Sequence, residues 1–86
     1  MAYRIIYGKQ AAKTILRMPR DVAQRIRRKL DRLAANPSAP NRNVKELTGY
    51  DAHRLRVGDW RVIYSIHKEA LEILVIKIGG RGDVYK

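Results

Sequence analysis

Apolar residues in this chain recur at two different periods, and the changes of period divide it into elements. Tyr3 to Tyr7, YRIIY, is a run of strand formers closed by Gly8. From Lys9 to Met18 the period becomes helical, with Ala12, Ile15 and Leu16 predicted on one face. Pro19 interrupts that helix and suits the first turn of the next, which runs from Arg20 to Ala35. In this second helix Val22, Ile26, Leu30, Leu33 and Ala34 form one stripe, as expected of a helical hairpin packed on a sheet. Asn36-Pro37 stops the helix, and NPSAPNRN reads as a loop inside one domain. Val44 to Gly49 leads into a strand from Ala52 to Val57, followed by a strand from Trp60 to His67 and a turn at Lys68-Glu69. Leu71 to Ile78 is almost continuously apolar, which predicts a central strand covered on both faces. The order β-α-α-β-β-β predicts an α+β domain over residues 1–86, a mostly antiparallel four-stranded sheet with an N-terminal helical hairpin on one face.

The stretch His53 to Tyr64, HRLRVGDWRVIY, specifies its own register. Gly58-Asp59 between two runs of strand formers is the signal of a two-residue hairpin loop. Val57 then lies opposite Trp60, Arg56 opposite Arg61, Leu55 opposite Val62, and Arg54 opposite Ile63. Opposed residues share a face and successive residues alternate. Val57, Leu55, Trp60, Val62 and Tyr64 are therefore predicted to point one way, and Arg54, Arg56 and Arg61 the other. Like charges facing each other across a ladder are destabilising. Setting Arg56 against Arg61 makes sense as a place held for an anion.

Charge strengthens that picture. Nineteen Lys and Arg against eight Asp and Glu give a formal charge of +11 on 86 residues, which implies a polyanionic partner: nucleic acid, the ribosome, an acidic protein or a membrane surface. The second helix adds Arg25, Arg28, Lys29 and Arg32 on its polar side, where a solvated face is the plain alternative. There is no cysteine, so disulfides and thiolate metal sites are excluded and a reducing cytoplasm is the expected location. MAYRIIYGKQ lacks the apolar core of a signal peptide, and no apolar run reaches the length of a membrane span.

Other chemistry is poorly represented. Asp51, Asp59, Glu69, Glu72 and Asp83 are mostly turn residues and do not form the carboxylate cluster of a two-metal nuclease, so no metal or cofactor is expected. His53 shares the face of Leu55 and Tyr64 and reads as structural, His67 borders a turn, and Trp60 belongs to the core edge. Gly79-Gly80-Arg81-Gly82 lets the chain turn sharply into the tail Asp83-Val84-Tyr85-Lys86. The fourth strand should run antiparallel to the third, bringing Arg81 close to Arg61 and allowing Tyr85 to fold back over the same surface. Arg54, Arg56, Arg61, Arg81 and Tyr85 are thus predicted to converge. Arginine's planar fork of donors matches phosphate oxygens.

YRIIY, MPRDV at the helical turn, KELTG, HRLRVGDWRVIY and VIKIGGRGDVYK together resemble the RelE branch of the RelE/ParE toxins of toxin–antitoxin systems, over essentially the whole chain. The resemblance implies a microbial RNase fold and a ribosome-dependent endoribonuclease that cuts mRNA in the decoding site. It also implies an antitoxin partner, RelB-like, in a hetero-oligomer. Carried over, Arg61 and Arg81 match the family's paired arginines, Tyr85 its C-terminal tyrosine, and Arg54 and Arg56 its basic residues on the second strand. Some relatives carry lysines there; arginine effectively cannot lose its proton, so neither Arg54 nor Arg56 is a general base. Gly80 stands where relatives often carry a larger polar or basic side chain. Two alternatives keep the fold: a ParE-like toxin that inhibits DNA gyrase without cutting RNA, and an inactive RNA- or antitoxin-binding module.

Overall fold

The computed structural model describes residues 2–47 and 52–80. In chain order the elements are β1 (Arg4–Tyr7), α1 (Lys9–Arg17), α2 (Arg20–Ala35), β2 (Val44–Glu46), β3 (His53–Val57), β4 (Trp60–His67) and β5 (Glu72–Gly80). The sheet has five strands in the order β1-β5-β4-β3-β2, and β1 pairs with β5 in parallel, the remaining neighbours antiparallel. The α+β expectation holds, with one strand more than the four predicted. The extra strand, β2, is only three residues long, VKE, and pairs along the outer edge of β3. Because β1 and β2 form opposite edges, the helical hairpin carries the chain across the whole sheet.

The core lies between the helices and one sheet face. Ile26 and Leu30 of α2 meet Leu55, Val62, Tyr64, Ile73, Val75 and Ile78 of the sheet in one cluster of buried residues. On α2 the predicted stripe is buried, with Ala23 added and Val22 only partly covered. On α1 the expected face is rotated. Ala11, Ile15 and Met18 are buried, whereas Leu16 is 81% exposed. Spacing of four and three residues from Ala11 keeps contact with the sheet, and it leaves Leu16 one step round the helix.

Local chemistry accounts for the joints. Pro19 is the N-cap of α2, Asp21 lies in its first turn and Arg32 in its last, both signs suited to the helix dipole. Gly8 passes close under β5: its N–H donates to the Val75 carbonyl at 2.8 Å, and a Cβ there would lie 3.0 Å from the same oxygen. The prediction that the last strand is covered on both faces is corrected. β5 is interior in strand order, but the helices cover one face only, and Ile76 is 44% exposed.

Candidate nucleic-acid interface

The β3–β4 hairpin has the predicted register, residue for residue: His53 opposite Tyr64, Arg54 opposite Ile63, Leu55 opposite Val62, Arg56 opposite Arg61 and Val57 opposite Trp60. Gly58 takes a φ of +60° while Asp59 stays negative, the sign pattern of a type II′ turn with glycine first. Leu55, Val57, Val62 and Tyr64 face the helices and are at most 2% exposed. Trp60 packs at the core edge, and the His53 ring stacks on Tyr64 with centroids 5.3 Å apart, so both serve packing. Burial pushes the Tyr64 phenol up to about 12, which removes it as a base near neutral pH.

The opposite face carries the charge. Two rows cross it perpendicular to the strands. One runs Lys45, Arg54, Ile63, Lys77 over β2, β3, β4 and β5, and the next runs Arg56, Arg61, Gly79 over β3, β4 and β5. No carboxylate occupies either row. Arg56 is exposed, Arg54, Arg61 and Lys77 are half-buried, and Lys45 is exposed at the edge. The Arg56 N–H donates outward to the Asn43 carbonyl at 2.8 Å, so Arg56 and Arg61 form a non-hydrogen-bonded pair, the kind whose side chains approach more closely. Arg61 Nη1 leans back toward the turn, 3.4 Å from the Gly58 carbonyl and 3.3 Å from that of Trp60. These long contacts occupy one nitrogen of a group with five N–H donors, leaving others for an anion. Beside the rows, Arg42, Asn43, Val44, Lys45, Arg54 and Arg56 line a groove of about 260 Å³.

Arg54, Arg56 and Arg61 therefore share one surface. Arg81 and Tyr85 lie outside the described residues; the last described residue, Gly80, sits opposite Trp60. Three cations of this surface were absent from the sequence prediction: Arg42, Lys45 and Lys77. Arg42 belongs to the stretch that the pattern reads as loop, and Lys45 to the lead-in Val44 to Gly49, which is too short to show alternation. Lys77 was hidden by a bulge, since simple alternation along β5 assigns it to the core. A further stripe, Arg25, Arg28, Lys29 and Arg32, lines a shallow groove on α2. Among the described residues, no group of three or more His, Cys, Asp or Glu is placed to hold a metal ion, and no helix is long and apolar enough to cross a membrane.

Comparison with known proteins places the fold in a family. The model of the family described as the ParE toxin of type II toxin–antitoxin systems matches residues 5–85. A RelE-like toxin protein of Escherichia coli is 26% identical over 99% of this chain and 92% of its own. The RelE subunit fold in the archaeal RelE–RelB complex of Pyrococcus horikoshii is similar with a TM-score of 0.82 and 32% identity, covering 98% of this chain and 100% of that one. The intact RelBE toxin–antitoxin complex of Escherichia coli shares the fold, with a TM-score of 0.79 at 21% identity over 95% of this chain and 99% of that one.

Proposed function

We infer that this chain, which belongs to the ParE toxin family of type II toxin–antitoxin systems, is a ribosome-dependent mRNA endoribonuclease of the RelE kind. One observation carries the reading: Arg54, Arg56 and Arg61 stand together on the sheet face away from the core, two of them directly opposed, with no carboxylate in their rows. A fold gains nothing from that arrangement unless an anion sits on it.

RNA cleavage by the 2′-hydroxyl needs that hydroxyl deprotonated, the phosphorane stabilised and the leaving 5′-oxygen protonated. In this proposal Arg61 holds the non-bridging oxygens, where preorganised charge is often the largest catalytic term. Arg81 stabilises the charge on the phosphorane and on the leaving 5′-oxygen, which takes its proton from water. Tyr85 takes the 2′-hydroxyl proton. Arg54 and Arg56 bind the RNA backbone. A site without a well-tuned base depends on having its substrate held in line, and the ribosome supplies that orientation. The cell compartment is the cytoplasm. The partner is a RelB-like antitoxin, as the complexes of the structural relatives suggest. In this proposal an acidic segment of that antitoxin covers the basic face.

The family's description as a ParE toxin favours a second reading, inhibition of DNA gyrase. Mapping mRNA 5′ ends after induction, beside a plasmid supercoiling assay, separates the two. New 5′ ends in translated messages only, abolished by Tyr85→Phe and by Arg81→Ala, are expected. Altered supercoiling with intact messages would replace this reading by the second.

A further inference from the structure

We propose that Lys77 is a further RNA-contacting residue of this face, binding a phosphate next to the scissile one. The inference rests on the nuclease reading above and extends its site from β3 and β4 to β5.

Along β5, Ile73 and Val75 point into the core and are fully buried. Strict alternation would send Lys77 after them, placing an ammonium among Ile26, Leu30 and Tyr64. The register shows how this is avoided. Tyr64 pairs with Val75, but the next residue of β4, Ile63, pairs with Lys77, so Ile76 is an extra residue. Lys77 is thereby turned to the face of Ile63 and Arg54, and Ile78 returns to the core at 1% exposure. The bulge leaves Ile76 44% exposed and interrupts the ladder. Bulges of this kind commonly re-aim a side chain beside a functional site. Here the redirected side chain is the one charged residue between Ile73 and Ile78.

The backbone that carries Lys77 is also held on both sides. Pairing of β5 with β1 ends at Val75 opposite Tyr7. Beyond it the Gln10 carboxamide takes over the missing strand's role, its Nε2 donating to the Ile78 carbonyl at 3.0 Å and its Oε1 accepting from the Ile78 N–H at 2.9 Å. Lys77 lies two residues before Gly79, the partner of Arg61, so it is a diagonal neighbour of Arg61. Such neighbours are about 7–8 Å apart, and Arg54, two strands away through Ile63, is about 10 Å distant. A flexible stem ending in three donors suits a phosphate that is off the in-line axis, while the planar forks of the arginines suit the reacting one.

The test uses the full chain on programmed ribosomes, with Lys77→Gln, Lys77→Arg and Arg61→Ala compared by cleavage rate at subsaturating toxin across a salt series. Lys77→Gln is expected to cut roughly 10–100-fold more slowly. Its log–log salt slope should be shallower by about 0.7, the share of one phosphate contact with a single strand. Lys77→Arg should restore most of both. A second measurement leaves the chain unmutated: acetylation of Lys77, read by mass spectrometry, should slow when a non-cleavable RNA oligonucleotide is bound. Wild-type rate and slope for Lys77→Gln beside an inactive Arg61→Ala would overturn the role of Lys77 and leave the nuclease reading standing. A slow Lys77→Gln that arginine fails to rescue, or a Lys77 that RNA does not protect, would also overturn it. No cleavage by the unmutated protein would remove both.

Discussion

Replacing Arg56 should make the protein more stable and less active at once, because the charge proposed to bind RNA is repelled by Arg61 in its absence. The pair is directly opposed and non-hydrogen-bonded, so its side chains leave a common narrow position on the sheet. Like charges in such a pair cost within about 0.2–1 kcal/mol. Arg56 is exposed, and Arg61 is partly drawn off by the turn carbonyls, so the cost should fall near the middle, about 0.5 kcal/mol. For a domain of this size that amounts to a rise in melting temperature of about 2–4 °C on substituting Arg56→Gln, which keeps length and polarity. Arg56→Lys retains the charge and should show little of the gain. The gain should shrink in 1 M salt, where the screening length falls to about 3 Å from about 10 Å at 0.1 M. Loss of one charge-assisted contact should meanwhile slow mRNA cleavage roughly 10–100-fold. Thermal melts at both salt concentrations, paired with a cleavage assay on translating ribosomes, measure both effects. A less stable Arg56→Gln, or a gain indifferent to salt, would refute the claim that the opposed arginines are a cost carried for function.

Other consequences follow from particular contacts. Gln10→Ala removes the partners of both the Ile78 N–H and the Ile78 carbonyl and should cost about 1–3 kcal/mol in denaturant unfolding, with fast hydrogen exchange at Ile78 as its local mark. Tyr64 is folded with its phenol pushed up to about 12, against about 10 when unfolded, so its contribution is complete below pH 10 and is lost as pH rises toward 12. The loss should be on the order of 2 kcal/mol in unfolding titrations and should be absent in Tyr64→Phe. Leu71 holds a φ of 54° in the β4–β5 turn, a left-handed conformation that costs a leucine about 1 kcal/mol, so Leu71→Asn should raise the melting temperature by a few degrees.

The parts of this fold that were legible in the sequence are those set by short-range rules. A two-residue loop with glycine first ties Arg56 to Arg61 and every other pair of the hairpin without reference to the rest of the chain. The ends of α2 are equally local, fixed by Pro19 and by Asn36-Pro37. What escaped was set at a distance. Nothing in Leu71 to Ile78 marks Ile76 as an extra residue, because bulges need no glycine or proline and this one is defined only against Tyr64 and Ile63. The parallel pairing of β1 with β5 joins segments nearly 70 residues apart, Arg4 opposite Glu72, and no local period reports it. A three-residue edge strand such as VKE is too short to show alternation. The hairpin half of the candidate site was therefore readable, as was the antiparallel approach of the end of β5 to Arg61, whereas Lys45 of β2 and Lys77 of β5 were not.

The two faces of the sheet divide the labour between folding and binding. The helices cover one face with a continuous apolar cluster, and stability resides there. The other face is free to hold cations that weaken each other, provided the deficit stays smaller than what the core supplies. Any anionic ligand then gains twice, from direct attraction and from relief of repulsion already present between Arg56 and Arg61. An RNA phosphate and an acidic antitoxin segment would draw on the same two terms, so each should raise the melting temperature and each should exclude the other. On this reasoning neutralisation of the toxin does not require a conformational change. It requires only a polyanion that binds the charged rows more tightly than mRNA does, and Arg56→Gln should weaken both partners while Leu71→Asn weakens neither.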